Sequence, residues 1–181
     1  MRLTIISCSL HPFSRSAVMA QAAARFAKEQ GIEPTLLDLR EHPLPLCNGH
    51  DSGDRPEVQA LRRIVESSDA LLLALPIYNY DVNAAAKNLI ELTGRAWREK
   101  VVGFLCAAGG RSSYMSVMSL ANSLMLDFRC WVVPRFVYAT GGDFGDDRTA
   151  TMFIESPEIL ERIEELVRTT IRAARGLQNS S

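Results

Sequence analysis

At 181 residues the chain has the length of a single domain and enough material to bury a continuous core. Its 20 Lys and Arg against 21 Asp and Glu leave a formal net charge of -1, which supplies no overall field for DNA, RNA or an anionic membrane. No nucleic-acid partner is expected, and with no stretch as long as a membrane-spanning helix or laid out as a signal peptide, a cytoplasmic protein without a membrane partner is expected.

Residues 1–7 are β-branched and apolar and predict a strand. Residues 14–30 are alanine-rich, carry apolar side chains at helical spacing and end at Gly31, the residue type that closes helices. A second short strand is expected over 33–39, followed by an irregular passage rich in turn formers over 40–56 and a helix over 57–67. The apolar run 69–75 reads as a strand buried on both faces, and Pro76, which lacks an N–H, is expected to end its ladder. A helix is predicted over 83–95 with Asn83 as N-cap, then a buried strand over 100–107 that Gly109-Gly110 breaks. Residues 111–127 place Met115, Met118, Leu120 and Leu124 at helical spacing. The last strand is expected over 130–138, a Gly- and Asp-rich loop over 139–147, and a terminal helix over 156–174 opened by Ser156 and Pro157. One domain, 1–175, with a frayed tail, 176–181, is the organisation these elements imply. The cysteines, Cys8, Cys47, Cys106 and Cys130, show no CxxC spacing and are expected in the apolar core without a disulfide, and Cys47 with His50 lacks the further ligands of a metal site.

Strands alternating with helices imply an α/β fold, a flavodoxin-like doubly wound five-stranded parallel sheet in the order 2-1-3-4-5 with helices on both faces. That order brings the carboxyl ends of the first, third and fourth strands together, so three loops distant in sequence converge on one crevice. The first, residues 7–16, holds Ser7, Ser9, Ser14, Ser16, His11 and Arg15 just before a helix, donors suited to a phosphate monoester. It lacks the glycines of a Walker or G-x-G-x-x-G turn, which argues against a nucleoside triphosphate. The second, Pro76, Ile77, Tyr78 and Asn79, offers a flat ring and an amide to a planar, heteroatom-rich ligand. In the third, Gly109 and Gly110 let a ligand approach the backbone. Cys8 ahead of Arg15 is also similar to the low-molecular-weight phosphatase loop, with one residue too many between nucleophile and arginine, and Asp143, Asp146 and Asp147 as candidate acids.

Together the three patches resemble the NADPH-dependent FMN reductase family, with its azoreductase-like and quinone-reductase-like members. Ser9-Leu10-His11 followed by Ser14 is similar to the family's Ser-Leu-Arg-x-x-Ser loop, Pro76 to Asn79 followed by Lys87-Asn88 to its Pro-x-Tyr-Asn signature, and Ala108-Gly109-Gly110-Arg111 to its Ala-Gly-Gly-Arg loop. The resemblance implies that Ser9, His11, Ser14 and Ser16 hold the FMN phosphate with Arg15 at the loop's edge. It places Pro76, Ile77, Tyr78 and Asn79 along the ring and ribityl chain, and Ala108, Gly109, Gly110 and Arg111 near the pyrimidine side. It further implies hydride transfer from NADPH or NADH through FMN to a small-molecule acceptor, no side-chain acid or base, and a homodimer or homotetramer, for which Met115, Met118, Met125, Leu124 and Phe128 offer an apolar face. His11 stands where the family has arginine, so phosphate binding is expected to depend on pH. An electron-transfer flavodoxin shares the expected fold, but the near-zero net charge fits acidic docking poorly.

Overall fold

The computed structural model describes residues 1–179. Strands β1 (Leu3–Ser7), β2 (Thr35–Asp38), β3 (Ala70–Tyr78) and β5 (Val101–Ala107) form the body of a parallel sheet in the spatial order β2-β1-β3-β5. Beyond β5 the edge is continued by two short pieces, β6 (Trp131–Val132) and β7 (Val137–Ala139), each parallel to β5. The expected order 2-1-3-4-5 is therefore present, with its fifth member in two parts. Pro134 has no N–H to give a ladder and Arg135 adopts φ 61°, so the chain leaves β5 between the two pieces.

β3 lies at the centre, and its side chains alternate between two separate cores. Ala70, Leu72 and Ala74 face α1 (Arg15–Glu29) and α5 (Pro157–Gln178), packing with Met19, Ala20, Ala23, Ile163 and Leu166. Leu71, Leu73 and Leu75 face the opposite layer, which holds α2 (Pro56–Ser67), α3 (Ala84–Thr93) and α4 (Met118–Phe128) and includes Leu61, Leu89, Trp97 and Leu124. Both faces of β3 are covered, which is why the sequence is continuously apolar here instead of alternating with polar residues.

Several boundaries differ from expectation for identifiable reasons. β3 continues through Pro76 to Tyr78, with Pro76 opposite Ala107. Ala74 presents its backbone to β1, accepting from Cys8 N–H at 3.0 Å. Two residues on, Pro76 faces the same side after β1 has ended, and its carbonyl accepts from Asn83 N–H at 3.2 Å, so the missing proline N–H costs no ladder bond. The chain then folds back as β4 (Asp81–Val82), antiparallel to the end of β3. Asn83 sits at the N-cap position of α3, but its side chain makes no capping bond and reaches the first loop instead. The predicted helix 111–127 divides into a 3-10 segment, Arg111–Val117, and α4. Leu124, expected on an exposed apolar face, is buried in the core. The Gly- and Asp-rich loop contains β8 (Phe144–Gly145), paired with β9 (Phe153–Ile154). α5 runs to Gln178, so residues 176–178 of the expected tail are helical, and Ser180 and Ser181 lie outside the described residues.

Candidate active site

The first loop is fastened by its own neighbours. Asn83 Nδ2 donates to the Cys8 carbonyl at 2.7 Å, and the Ser9 hydroxyl, fully buried, accepts from His11 N–H at 3.2 Å. His11 Nδ1 accepts from Phe13 N–H at 3.0 Å, so the imidazole braces the turn two residues on, as an Asx side chain does. Arg40 donates to the Pro12 carbonyl at 2.7 Å while its guanidinium grips Asp38, and Arg148 donates to the Phe13 carbonyl at 3.1 Å. At the start of α1, Ser14 Oγ accepts from Ala17 N–H and lies 2.9 Å from Ser16 Oγ. The amides of Arg15 and Ser16 precede the first intrahelical bonds, so they remain donors at the positive end of the helix.

Arg15 has a different place from the one its motif implies. Its Nε and Nη2 donate to the two carboxylate oxygens of Asp147 at 2.7 and 2.6 Å, and its Nη1 donates to the Ala108 carbonyl at 3.1 Å. One guanidinium thus ties the first loop, the third loop and the segment after β8. Hydrogen bonding from Arg15 holds the Asp147 carboxyl below its usual range, and the same bond raises Arg15 further. A Cβ at Gly141 would stand 2.6 Å from Arg15 Nη2, so a side chain there would push the guanidinium from its present position.

The second and third loops share an open cavity of ≈560 Å³, lined by residues 77–79 and 107–110 with Ser113 and Arg148. Asn79 and Tyr80 both take left-handed backbone, φ 50° and 68°, which is strained for tyrosine. Tyr80 Oη donates to the Ser112 carbonyl at 2.6 Å, fixing the second loop to the third across the opening. From the other side Tyr138 Oη donates to the Gly110 carbonyl at 2.6 Å and lies 3.0 Å from Ser113 Oγ. Arg111 turns away into a neighbouring cleft of ≈320 Å³ with Tyr114, Glu158 and Arg162. Ser9, Ser14 and Ser16 are buried and His11 is exposed, and none of the four lines the cavity; the first loop meets its walls through Arg15, bonded to the Ala108 carbonyl, and Arg148, bonded to the Phe13 carbonyl.

Cys8 makes no phosphatase. It is fully buried, burial pushes its thiol well above the usual range, and its Sγ faces the Ile6 carbonyl, so no thiolate is available for attack. All four cysteines are free. Among the described residues no group of three or more His, Cys, Asp or Glu side chains is placed to hold a metal, and no helix is long and apolar enough to cross a membrane.

The model of the NADPH-dependent FMN reductase family matches residues 1–145. The chain belongs to that family. It is an oxidoreductase with FMN as cofactor and reduced nicotinamide as co-substrate. Similar proteins include an NAD(P)H-dependent FAD/FMN reductase of Geobacillus thermodenitrificans, 29% identical over 146 residues that span 80% of this chain and 76% of the relative. An NADPH azoreductase of Bacillus sp. (strain OY1-2) is 27% identical over 154 residues, 81% of this chain and 84% of the relative. In fold the chain is similar to the flavoenzyme FerB, an NAD(P)H:(acceptor) oxidoreductase from Paracoccus denitrificans, with a TM-score of 0.77, 18% identity and 97% of each chain covered.

The residues present fit a flavin. A Cβ at Gly109 or Gly110 would meet no protein atom within 4 Å, and neither glycine takes left-handed backbone. The fold of this family member therefore does not itself demand glycine there, whereas a ring lying against the loop does. Asn83 Oδ1 and Ser7 Oγ are buried without partners, and Asn83 lies under the first loop, where a hydroxylated chain would find an acceptor. Asp147, Arg148, Ser113 and Tyr138 were not legible as parts of this site. Arg15 and Asp147 are 132 residues apart, so no local pattern links them.

Proposed function

We propose that this family member reduces a small diffusible acceptor, a free flavin, a quinone or an azo compound, at the mouth of the cavity between the second and third loops. When bound, the flavin supplies the two-electron chemistry, accepting hydride from NADPH or NADH and giving it up to the acceptor. The amides at the start of α1, with the Ser9, Ser14 and Ser16 hydroxyls, hold the cofactor phosphate, and His11 braces the turn that presents them. Pro76, Ile77, Tyr78 and Asn79 lie along the ring and ribityl chain. The N–H groups of Gly109 and Gly110 favour negative charge at the pyrimidine edge, and Ala108 sets the base of the cavity. Arg15 positions the loops, and Arg111, outside the cavity, serves the cleft beside it.

No side-chain acid or base is assigned, because the chain's contribution is to orient two planar rings and to exclude competing geometries. The single observation that carries the reading is the glycine pair with open Cβ space facing a cavity whose lining residue Arg148 also bonds the first loop. The exposed apolar side chains of Tyr80, Tyr114, Met115, Met125 and Leu126 support assembly as a homodimer or homotetramer, with the cytoplasm as the site of action. The test is spectroscopic. The purified chain, reconstituted with FMN, is expected to bleach on anaerobic addition of NADPH and to regain colour with a small quinone and no partner protein. Bleaching that only a partner protein can reverse would favour a flavodoxin-type carrier. Sedimentation equilibrium checks the assembly.

A further inference from the structure

Three guanidiniums touch the first loop, and two of them are neutralised. Arg15 is paired bidentately with Asp147, and Arg40 with Asp38. Arg148 has no carboxylate within salt-bridge distance among the described residues. It spends Nη1 on the Phe13 carbonyl, immediately before the Ser14 cap, and its exposed side chain also lines the cavity. The turn that delivers it is braced. Asp146 and Arg148 take φ 48° and 62°, Thr149 Oγ1 donates to the Asp146 carbonyl at 2.7 Å, Thr151 Oγ1 donates to Asp146 Oδ2 at 2.9 Å, and Arg148 N–H meets Met152 Sδ at 3.4 Å. Left-handed backbone is uncommon for arginine and persists where surrounding bonds enforce it.

We propose that Arg148 grips the phosphate of the cofactor, reaching over the first loop from the segment after β8. This rests on the reading of the cavity as an FMN site. A phosphate monoester brings close to two negative charges, and a helix N-terminus offers only about half a positive one. Among the described residues Arg148 is the one cation at the junction of loop and cavity whose N–H groups are not already given to a carboxylate. Its Nη1 is anchored on the carbonyl one residue ahead of the helix cap, which leaves the other N–H groups of the guanidinium for an anion held at the start of α1. Arg148 lies beyond the segment that the family model matches, so the pattern of the first loop does not contain it.

The test titrates the full chain, freed of flavin, with FMN and with riboflavin, reading fluorescence quenching across a range of ionic strength. The unsubstituted protein is expected to prefer FMN, with a preference that salt weakens. Arg148→Gln keeps a donor for the Phe13 carbonyl and removes the charge. It is expected to lose about 10- to 100-fold in FMN affinity, to change riboflavin affinity less than about twofold, and to flatten the salt dependence. Arg148→Lys should recover part of the loss, as a charge without the bidentate fork. Circular dichroism and melting of each variant verify the fold. Full FMN affinity and an unchanged salt slope in Arg148→Gln would overturn the proposal, as would equal losses for both flavins. A well-folded unsubstituted chain that takes up neither flavin would instead overturn the FMN reading, and this inference with it.

Discussion

The first loop and the Gly109-Gly110 loop meet at one site and are built on opposite plans. In the first, the carbonyls of Cys8, Pro12 and Phe13 are taken by Asn83, Arg40 and Arg148, and hydroxyls or imidazole nitrogen engage the amides of His11, Phe13 and Ala17. In the third, the glycines face open space and the loop is held around them, through the carbonyls of Ala108, Gly110 and Ser112, the Ala108 N–H and the Ser113 hydroxyl. A loop that must present fixed donors to an anion benefits from having its shape set beforehand. A loop that must lie against a planar ring needs a bare surface. On the proposed reading the first loop supplies binding strength and the third sets the ring's place.

Filling the bare surface should have the largest effect. Gly110→Val adds a side chain that no protein atom opposes, so the fold should survive while FMN affinity falls about 10- to 100-fold, corresponding to an overpacking cost of about 1–3 kcal/mol. Fluorescence titration beside a melting curve checks it. A valine variant that binds FMN normally would show that no ring lies there.

Removing the clamp between the loops comes next. Arg15→Ala deprives Asp147 and the Ala108 carbonyl of their partner, and urea unfolding should record a loss of about 1–3 kcal/mol with weakened binding. Tyr80→Phe deletes the bond to Ser112 and should cost about 1 kcal/mol, with the effect seen more in cofactor release than in melting. In the first loop, His11→Asn can still accept from Phe13 N–H and should bind FMN nearly as the parent does, whereas His11→Ala should loosen the turn by about 0.5–1.5 kcal/mol. An equal loss of FMN affinity in the two variants would show that the imidazole does more than brace.

Acid should give the smallest and most specific effect. Because Asp147 is held below its ordinary value of 3.8, its bond to Arg15 stabilises the folded state fully above that value. The contribution is lost as pH falls through the lowered folded-state value. The stability gap between the parent and Asp147→Asn should therefore be constant from neutral pH to about pH 5 and close below pH 4. A gap that persists into stronger acid would remove the ion pair as its source.

Much of this was legible because the signals are local. The run from Leu71 to Leu75 announces a strand covered on both faces, and Ser14 and Ser156 cap the helices that their sequence neighbours predict. Pro76 was misread because a proline forbids a ladder bond only on the side its nitrogen faces, and that side had already lost its partner strand. Asn83 has the residue type and position of an N-cap, yet its amide serves the loop seventy-five residues earlier. Arg15 was placed correctly at a helix start and its partner was not, since nothing near either residue records a contact across 132 positions.

The Arg15–Asp147 clasp also gives the pocket a birth order. A chain emerging from the ribosome exposes the first loop early, with a bare guanidinium, and Asp147 and Arg148 follow only after all seven strands of the main sheet and the Phe13 carbonyl that Arg148 braces against have been made. On the proposed reading the cofactor meets its finished pocket late in biosynthesis, and a nascent or truncated chain ending before residue 147 would leave the first and third loops unlatched.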